Sequence, residues 1–273
     1  MDFSRYGLGT RLTVRTCALL SAWPEAVTAN AHAGAAEHLA MGYRPRRLEI
    51  LENGVDVERF RPDEIARARL RAQWGVTEAT PVIGLVARVD HMKGHETFCR
   101  AGAQVLRRYP DARLVFCGEG TQAQAAGGTP ELDGWIAAHG LEAAAIRLGR
   151  RDDAEAVLAA LDVLALASLG EGFPNVVAEA AACGTPVAGL DAGDARKAAG
   201  AGGTFAAPEA TRADEATRAG ALAERLLAVL DLPRRERAAM GARGRTHVAA
   251  SHDLDTAAAR WGAYFESLGQ GRQ

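Results

Sequence analysis

Apolar positions along the chain change period again and again. Short apolar runs at 26–29, 82–87, 113–117, 146–148, 163–167 and 186–190 are bounded by Gly, Pro, Asp or Asn and predict strands. Between them the spacing turns helical. Residues 95–109 set Phe98, Gly102, Val105, Leu106 and Tyr109 on one face. Further helices are predicted over 21–24, 31–41, 132–139, 154–161 and 174–183. Alternation of this kind predicts an α/β fold, a Rossmann-like parallel sheet with helices on both faces. Beyond residue 203 the pattern is helical only, with apolar stripes over 213–230, 234–250 and 254–268, which predicts a helical C-terminal tail. The Gly/Ala/polar stretch TQAQAAGGTPELDG (121–134) reads as a loop running into the next helix.

At the N-terminus, the arginines at 5, 11 and 15 interleave with apolar residues instead of preceding them, and no small-residue cleavage site follows. The segment therefore reads as a protein helix and not as a signal peptide. An amphipathic helix on a membrane surface is the alternative. The turn signal Asn53-Gly54 inside ILENGVDVERFRPD (50–63) marks a boundary, and too few residues precede it for a Rossmann-type domain. Three parts are expected: 1–48, 49–250 and a terminal helix in 251–273.

Composition narrows the function classes. The 273 residues carry 32 Lys and Arg against 34 Asp and Glu, a formal net charge of -2. That balance, with only 5% aromatics, argues against a nucleic-acid surface. No apolar run approaches the length of a membrane span. Cysteines 17, 99, 117 and 183 stand apart, with no metal-ligand spacing, and read as small buried hydrophobes.

Four stretches carry chemistry. In LVARVDHMKGHE (85–96) a strand releases Arg88 and Lys93 just before a helix begins. Two cations and a helix N-terminus make an anion site, or else two solvated surface charges at a strand–helix turn. VFCGEGT (115–121) and IRLGRRDD (146–153) end strands in glycine turns. Backbone groups at Gly149 have room to read a flat base, or the turn is only a turn with an Asp helix cap. In EGFPNVVAEAAACGTPV (171–187), Pro174 fits a first helical turn and Gly184 a helix stop. The helix between them is apolar on most sides, so the carboxylate of Glu179 needs a donor. An arginine or a ligand's hydroxyls would supply one. Glu171 lies in the turn before the helix, where the N–H groups of Asn175 and Val176 are free to grip a phosphate.

Taken in order, ENGVD (52–56), ARVDHMKGHE (87–96), FCGEG (116–120), RLGRRDD (147–153) and EGFPNVVAEAAACGTPV (171–187) resemble the nucleotide-sugar-binding half of a family 4 glycosyltransferase of GT-B fold. The resemblance runs from about residue 20 to the C-terminus. Its specific part is the pair of glutamates with seven residues between them, joined to the upstream R-x4-K. The resemblance implies transfer of a sugar, with retention, from a nucleotide-diphosphate donor used as substrate, without a bound cofactor or metal. Arg88, Lys93 and Glu171 would be the catalytic set: the cations neutralise the diphosphate and Glu171 contacts the sugar. Phe173, Pro174, Asn175 and Val176 would place backbone groups against sugar and phosphate. Glu179 would bind the ribose hydroxyls, and Gly149 with Arg150 would lie against the base. A cytoplasmic location is implied, peripheral to the inner membrane where the acceptor is a lipid-linked glycan.

The chain departs from the family mainly in length. Most of the N-terminal acceptor-binding domain is missing, with 1–48 as its expected remnant. Ala31 stands where the family often has Ser, and His32 and His38 read as surface histidines. A truncated gene, half of a split enzyme with a partner domain, and a non-catalytic nucleotide-sugar-binding module are the alternatives. A nucleotide-sugar epimerase of GT-B fold is a further one. The terminal stripe Trp261, Tyr264, Phe265 and Leu268 is expected to stand partly bare.

Overall fold

The computed structural model describes residues 7–270. Its centre is a six-stranded, fully parallel sheet in the order β5-β4-β3-β6-β7-β8. The strands are β3 (Val82–Val86), β4 (Arg113–Cys117), β5 (Ala145–Gly149), β6 (Val163–Leu166), β7 (Val187–Gly189) and β8 (Gly203–Phe205). Their side chains alternate between two apolar layers, as the period of two requires. Val82, Val115, Cys117, Leu164 and Leu166 face one layer, and Ile83, Leu85, Leu114, Phe116, Val163 and Ala165 face the other.

Helices close both layers. On the first face lie α3 (Glu64–Gln73), α6 (Ala154–Ala160), α7 (Asn175–Ala182) and α8 (Ala195–Ala199). On the second lie α4 (His95–Leu106), α5 (Pro130–Ala138) and α10 (Glu215–Leu230). Local chemistry sets their starts. The Asp63 carboxylate accepts from Ala66 N at 2.8 Å and that of Asp214 from Thr217 N at 2.8 Å, while Pro130 opens α5. The short α9 (Pro208–Arg212) precedes α10, and α11 (Arg234–Ser251) and α12 (Leu254–Gln270) end the described chain.

A second, two-stranded parallel sheet pairs β1 (Val27–Ala29) with β2 (Leu48–Ile50) around α2 (His32–Ala40). It follows α1 (Leu8–Leu20). Both strands are only partly buried, unlike the central strands of the large sheet.

The α/β expectation holds, with four differences. Residues 21–24 form turns and not a helix; the helix runs over Leu8–Leu20 and Pro24 cannot extend it. Helix α3 escaped the pattern because it buries Arg71, 2% exposed, while Ile65 is 84% exposed. The region after 203 is not purely helical, since β8 adds an edge strand. The loop 121–134 reaches only to Thr129, where α5 starts at Pro130.

Candidate functional site at the sheet crevice

Strand order reverses at β3. From it the chain builds outward to β4 and β5 on one side, then crosses to β6, β7 and β8 on the other. The loops leaving β3 and β6 therefore diverge and leave a crevice beyond their carboxyl ends, where ligands bind in open α/β sheets.

Sequence places charge in both loops. After β3, Asp90 caps a 3-10 turn (His91–Lys93), accepting from Met92 N at 2.8 Å. That bond, with the Arg88 guanidinium 3.2 Å away, holds the Asp90 carboxyl below its ordinary range. The turn ends at Gly94, φ 68, where a Cβ would stand 2.0 Å from the Ala167 carbonyl oxygen. Only glycine lets the two loops approach so closely. Leu169 N donates to Met92 O at 2.9 Å and ties them again. The result is an ion pair across the crevice: Lys93 Nζ lies 2.7 Å from Glu171 Oε1, both largely shielded from solvent. Residues 78 positions apart are thus brought together.

The turn holding Glu171 is supported from behind. Asp194 N donates to Gly172 O at 2.9 Å. Gly193, φ 59, packs so close that a Cβ would lie 2.4 Å from the carbonyl oxygens of both Glu171 and Gly172. Helix α7 then starts at Asn175, with Pro174 at the N-cap and no side chain capping it. Its first N–H groups have no helical acceptor and point toward the crevice end of the helix, where the dipole is positive. At the far end, Arg245 donates to Ala182 O at 2.6 Å and satisfies a terminal carbonyl.

Glu179 sits one turn into α7, largely withdrawn from water. Burial pushes its carboxyl above the ordinary 4.5, and the only opposing influence is the more distant Arg59 cation. The arginine salt bridge weighed from the sequence does not form among the described residues, because the Arg59 guanidinium is spent on Glu155 at 2.9 Å. A largely buried carboxylate without a donor is what a ligand-binding group looks like in the absence of a structural role.

The remaining candidates divide. Phe173 is buried and packs on the His252 ring, centroids 5.1 Å apart. Asn175 is exposed, and its Oδ1 accepts from Asn53 Nδ2 at 2.8 Å. Val176 is half-buried against the core. Gly149 ends β5 with φ 65, and its N–H donates to Thr121 Oγ1 at 3.1 Å while its carbonyl accepts from Gly118 N at 2.8 Å. Arg150 projects into solvent, 80% exposed, with Asp152 only at 4.0 Å. Arg88 is likewise exposed, 65%, on the rim of the crevice.

Sequence reading missed a buried network beside this site. Glu52 carries Lys197 at 2.7 Å, His32 at 3.5 Å, His252 at 3.7 Å and Arg260 at 3.8 Å. Burial pushes its carboxyl up, but the hydrogen bond and charge of Lys197 outweigh that and hold it below 4.5. His32, Glu52 and Asp194 bring ligand atoms within 4.8 Å of one another. The Lys197 ammonium, which also touches His32 Nε2, lies where a metal cation would have to sit. Asp194 is moreover engaged by His32 N at 2.6 Å and Ala33 N at 2.9 Å, capping α2. The members at 32, 52, 194, 197, 252 and 260 share no local pattern. His32 and His38 are exposed, as read, though His32 joins this network.

The family model described as Glycosyl transferases group 1 matches residues 80–231. The chain belongs to that family. A D-inositol 3-phosphate glycosyltransferase of Segniliparus rotundus is 34% identical over 58% of this chain and 35% of its own length. A GDP-mannose-dependent monoacylated alpha-(1-6)-phosphatidylinositol monomannoside mannosyltransferase of Corynebacterium glutamicum is 33% identical over 77% of this chain and 54% of its own. The chain thus spans between about a third and about half of these curated relatives. Among solved structures, the sucrose-phosphate synthase of Thermosynechococcus elongatus superposes with TM-score 0.81 at 21% identity, over 99% of this chain and 64% of that one. Anabaena Alr3699/HepE, solved with UDP and glucose, gives 0.80 at 23% identity, over 94% and 67%. The two likenesses establish the GT-B-type fold.

Proposed function

We propose that this chain is the donor-binding half of a retaining glycosyltransferase that uses a nucleotide-diphosphate sugar. The observation that carries the reading is the Lys93–Glu171 pair at the strand crossover, beside the uncapped start of α7 and one turn from the donorless Glu179. In this reading the diphosphate lies between Lys93, Arg88 and the N–H groups of Asn175 and Val176. Glycosidic cleavage loads negative charge onto that diphosphate, and preorganised cations and dipoles lower the barrier by meeting the charge where it develops. Glu171 faces the sugar, with the backbone of Phe173 and Pro174 beside it. Glu179 takes the ribose hydroxyls, and the Gly149–Arg150 strand end takes the base. The leaving phosphate assists removal of the acceptor's proton, so no further cofactor or metal enters.

The acceptor, a glycan or lipid-linked glycan, is supplied through a partner domain. Residues 1–48 belong to that acceptor-binding part, 49–250 to the donor domain, and α12, within the remaining 251–273, crosses back between them. Support comes from exposed apolar side chains on α1, in the turn after it and on α12. Leu8 is 84% exposed, Leu19 79%, Trp23 77% and Phe265 60%. An apolar cavity of about 450 Å³ between β1, α2 and Trp261 adds to this surface. No helix among the described residues is long and apolar enough to cross a membrane; a cytoplasmic enzyme working at the membrane surface fits a lipid-linked acceptor.

Calorimetric titration of the purified chain with UDP, GDP and dTDP tests the reading. Saturable binding of one of them, lost in Glu179→Ala, is expected. A folded chain that binds none of the three refutes it.

A further inference from the structure

The Lys93–Glu171 contact has a second consequence for this same site, and the inference rests on the donor-binding reading above. Lys93 Nζ and Glu171 Oε1 are 2.7 Å apart, with side-chain exposures of 28% and 12%. No other ion pair reaches either group among the described residues. The backbone that carries Glu171 is held in place: its carbonyl and that of Gly172 are packed on Gly193, and Gly172 O accepts from Asp194 N. The backbone at Lys93 is fixed by the Asp90-capped turn and by Gly94. A phosphate that takes the Lys93 ammonium therefore takes it from a carboxylate that stays nearby.

We infer that Glu171 is the group that discriminates the intact nucleotide-sugar donor from the nucleoside diphosphate product, by exchanging its Lys93 partner for sugar hydroxyls. Two opposed effects produce the discrimination. A bare terminal phosphate carries more negative charge than the phosphodiester of a donor, and it draws Lys93 from Glu171 while leaving that carboxylate unpaired beside it. The Glu171 carboxylate then stands in a shielded site without the cation that offset its desolvation, and that loss is charged against binding of the product. A donor brings hydroxyl groups that donate to the released carboxylate, so its binding replaces the lost partner. Donor is accepted and product is expelled by the same side chain. Arg88, 65% exposed, pairs with Asp90 and not with Glu171, so it takes no part in this exchange.

The test compares UDP with UDP-glucose and GDP with GDP-mannose, using whichever pair the wild-type chain binds. Glu171→Gln keeps the shape and removes the charge. The bare diphosphate is expected to bind it about fivefold tighter, the scale of a partly exposed ion pair. The nucleotide sugar is expected to bind no tighter, so the donor-over-product ratio falls. In a Lys93→Met background the tightening by Glu171→Gln shrinks to less than twofold if it runs through partner exchange. Unchanged or weakened diphosphate binding in Glu171→Gln, with wild-type binding intact, overturns the inference and leaves the donor site standing. Tightening of equal size with and without Lys93 also overturns it, since plain repulsion then suffices. Absence of nucleotide binding by the wild-type chain contradicts the underlying reading instead. A melting curve for each variant without nucleotide shows that the comparison is made between folded proteins.

Discussion

Replacement of Glu179 by Gln separates a ligand-binding carboxylate from a structural one, because the two roles predict opposite signs. The side chain lies on α7 among Val and Ala, and burial holds its carboxyl above 4.5 with no hydrogen-bond donor to offset the cost. Relief of that desolvation by an uncharged amide stabilises the fold by about 1 kcal/mol, the lower end for a buried polar group since the amide is itself polar. For a chain of this size that raises the melting temperature by roughly 2–4 °C. The pH dependence follows from the direction of the shift. The folded form holds this proton more tightly than the unfolded one, so the wild type loses stability as pH rises from 4.5 through the folded pKa. The Gln variant has no such titration. Its advantage therefore grows as pH rises above 4.5 and vanishes below that value. Binding moves the other way. Loss of one charge-assisted hydrogen bond to a ribose hydroxyl costs about 1.5–3 kcal/mol, roughly tenfold to a hundredfold in Kd. Thermal melts at pH 4 and 7 with parallel nucleotide titrations read both signs. A variant that is less stable at pH 7 and binds nucleotide as well as the wild type refutes the argument.

Three other perturbations follow from local geometry. Gly193→Ala drives a Cβ into the Glu171 and Gly172 carbonyls and is expected to weaken nucleotide binding at least tenfold, checked by titration, while a matching loss of fold in circular dichroism would shift the cause to stability. Gly220→Ala, in the open interior of α10, should stabilise by about 0.5–1 kcal/mol, whereas Gly241→Ala, whose Cβ would lie 1.8 Å from the Gly184 carbonyl oxygen, should destabilise; urea midpoints order the pair. His95 is buried and its pKa is lowered by that burial to about 4, so the unfolded chain takes up the proton first as pH falls. Stability is then full above 6.5 and declines by about 3 kcal/mol between 6.5 and 4, and His95→Leu should flatten that acid limb in pH-dependent denaturation.

Much of the large sheet was legible because its strands are continuous apolar runs closed by glycine or a charged residue. Val82–Val86 and Val163–Leu166 are buried on both faces, and only such runs survive there. Arg88, Lys93 and Glu171 were legible as charges placed beyond strand ends and Glu179 as a carboxylate on an apolar helix, although the contact between Lys93 and Glu171 was not. That contact depends on Gly94 meeting Ala167, a proximity set by packing. Three-residue strands such as Leu48–Ile50 and Gly203–Phe205 are too short to show a period. Helix α3 misleads any pattern search, since its buried Arg71 is satisfied by Asp162 at 3.1 Å, ninety-one positions away, and by the Thr77 and Thr80 carbonyls. The Glu52 network hid for the same reason: its charges cancel only in three dimensions.

A second groove, about 800 Å³, is lined by Arg67, Asp162, Arg234 and Arg237 at the amino ends of the strands, on the side opposite the crevice. It supplies the sharpest alternative location for a nucleotide. A crystal of the chain grown or soaked with the nucleoside diphosphate it binds decides between them. The account predicts diphosphate density at the start of α7 against Lys93, with the ribose hydroxyls on Glu179. Nucleotide density in the arginine groove, or a diphosphate remote from Lys93 and Asn175, contradicts it.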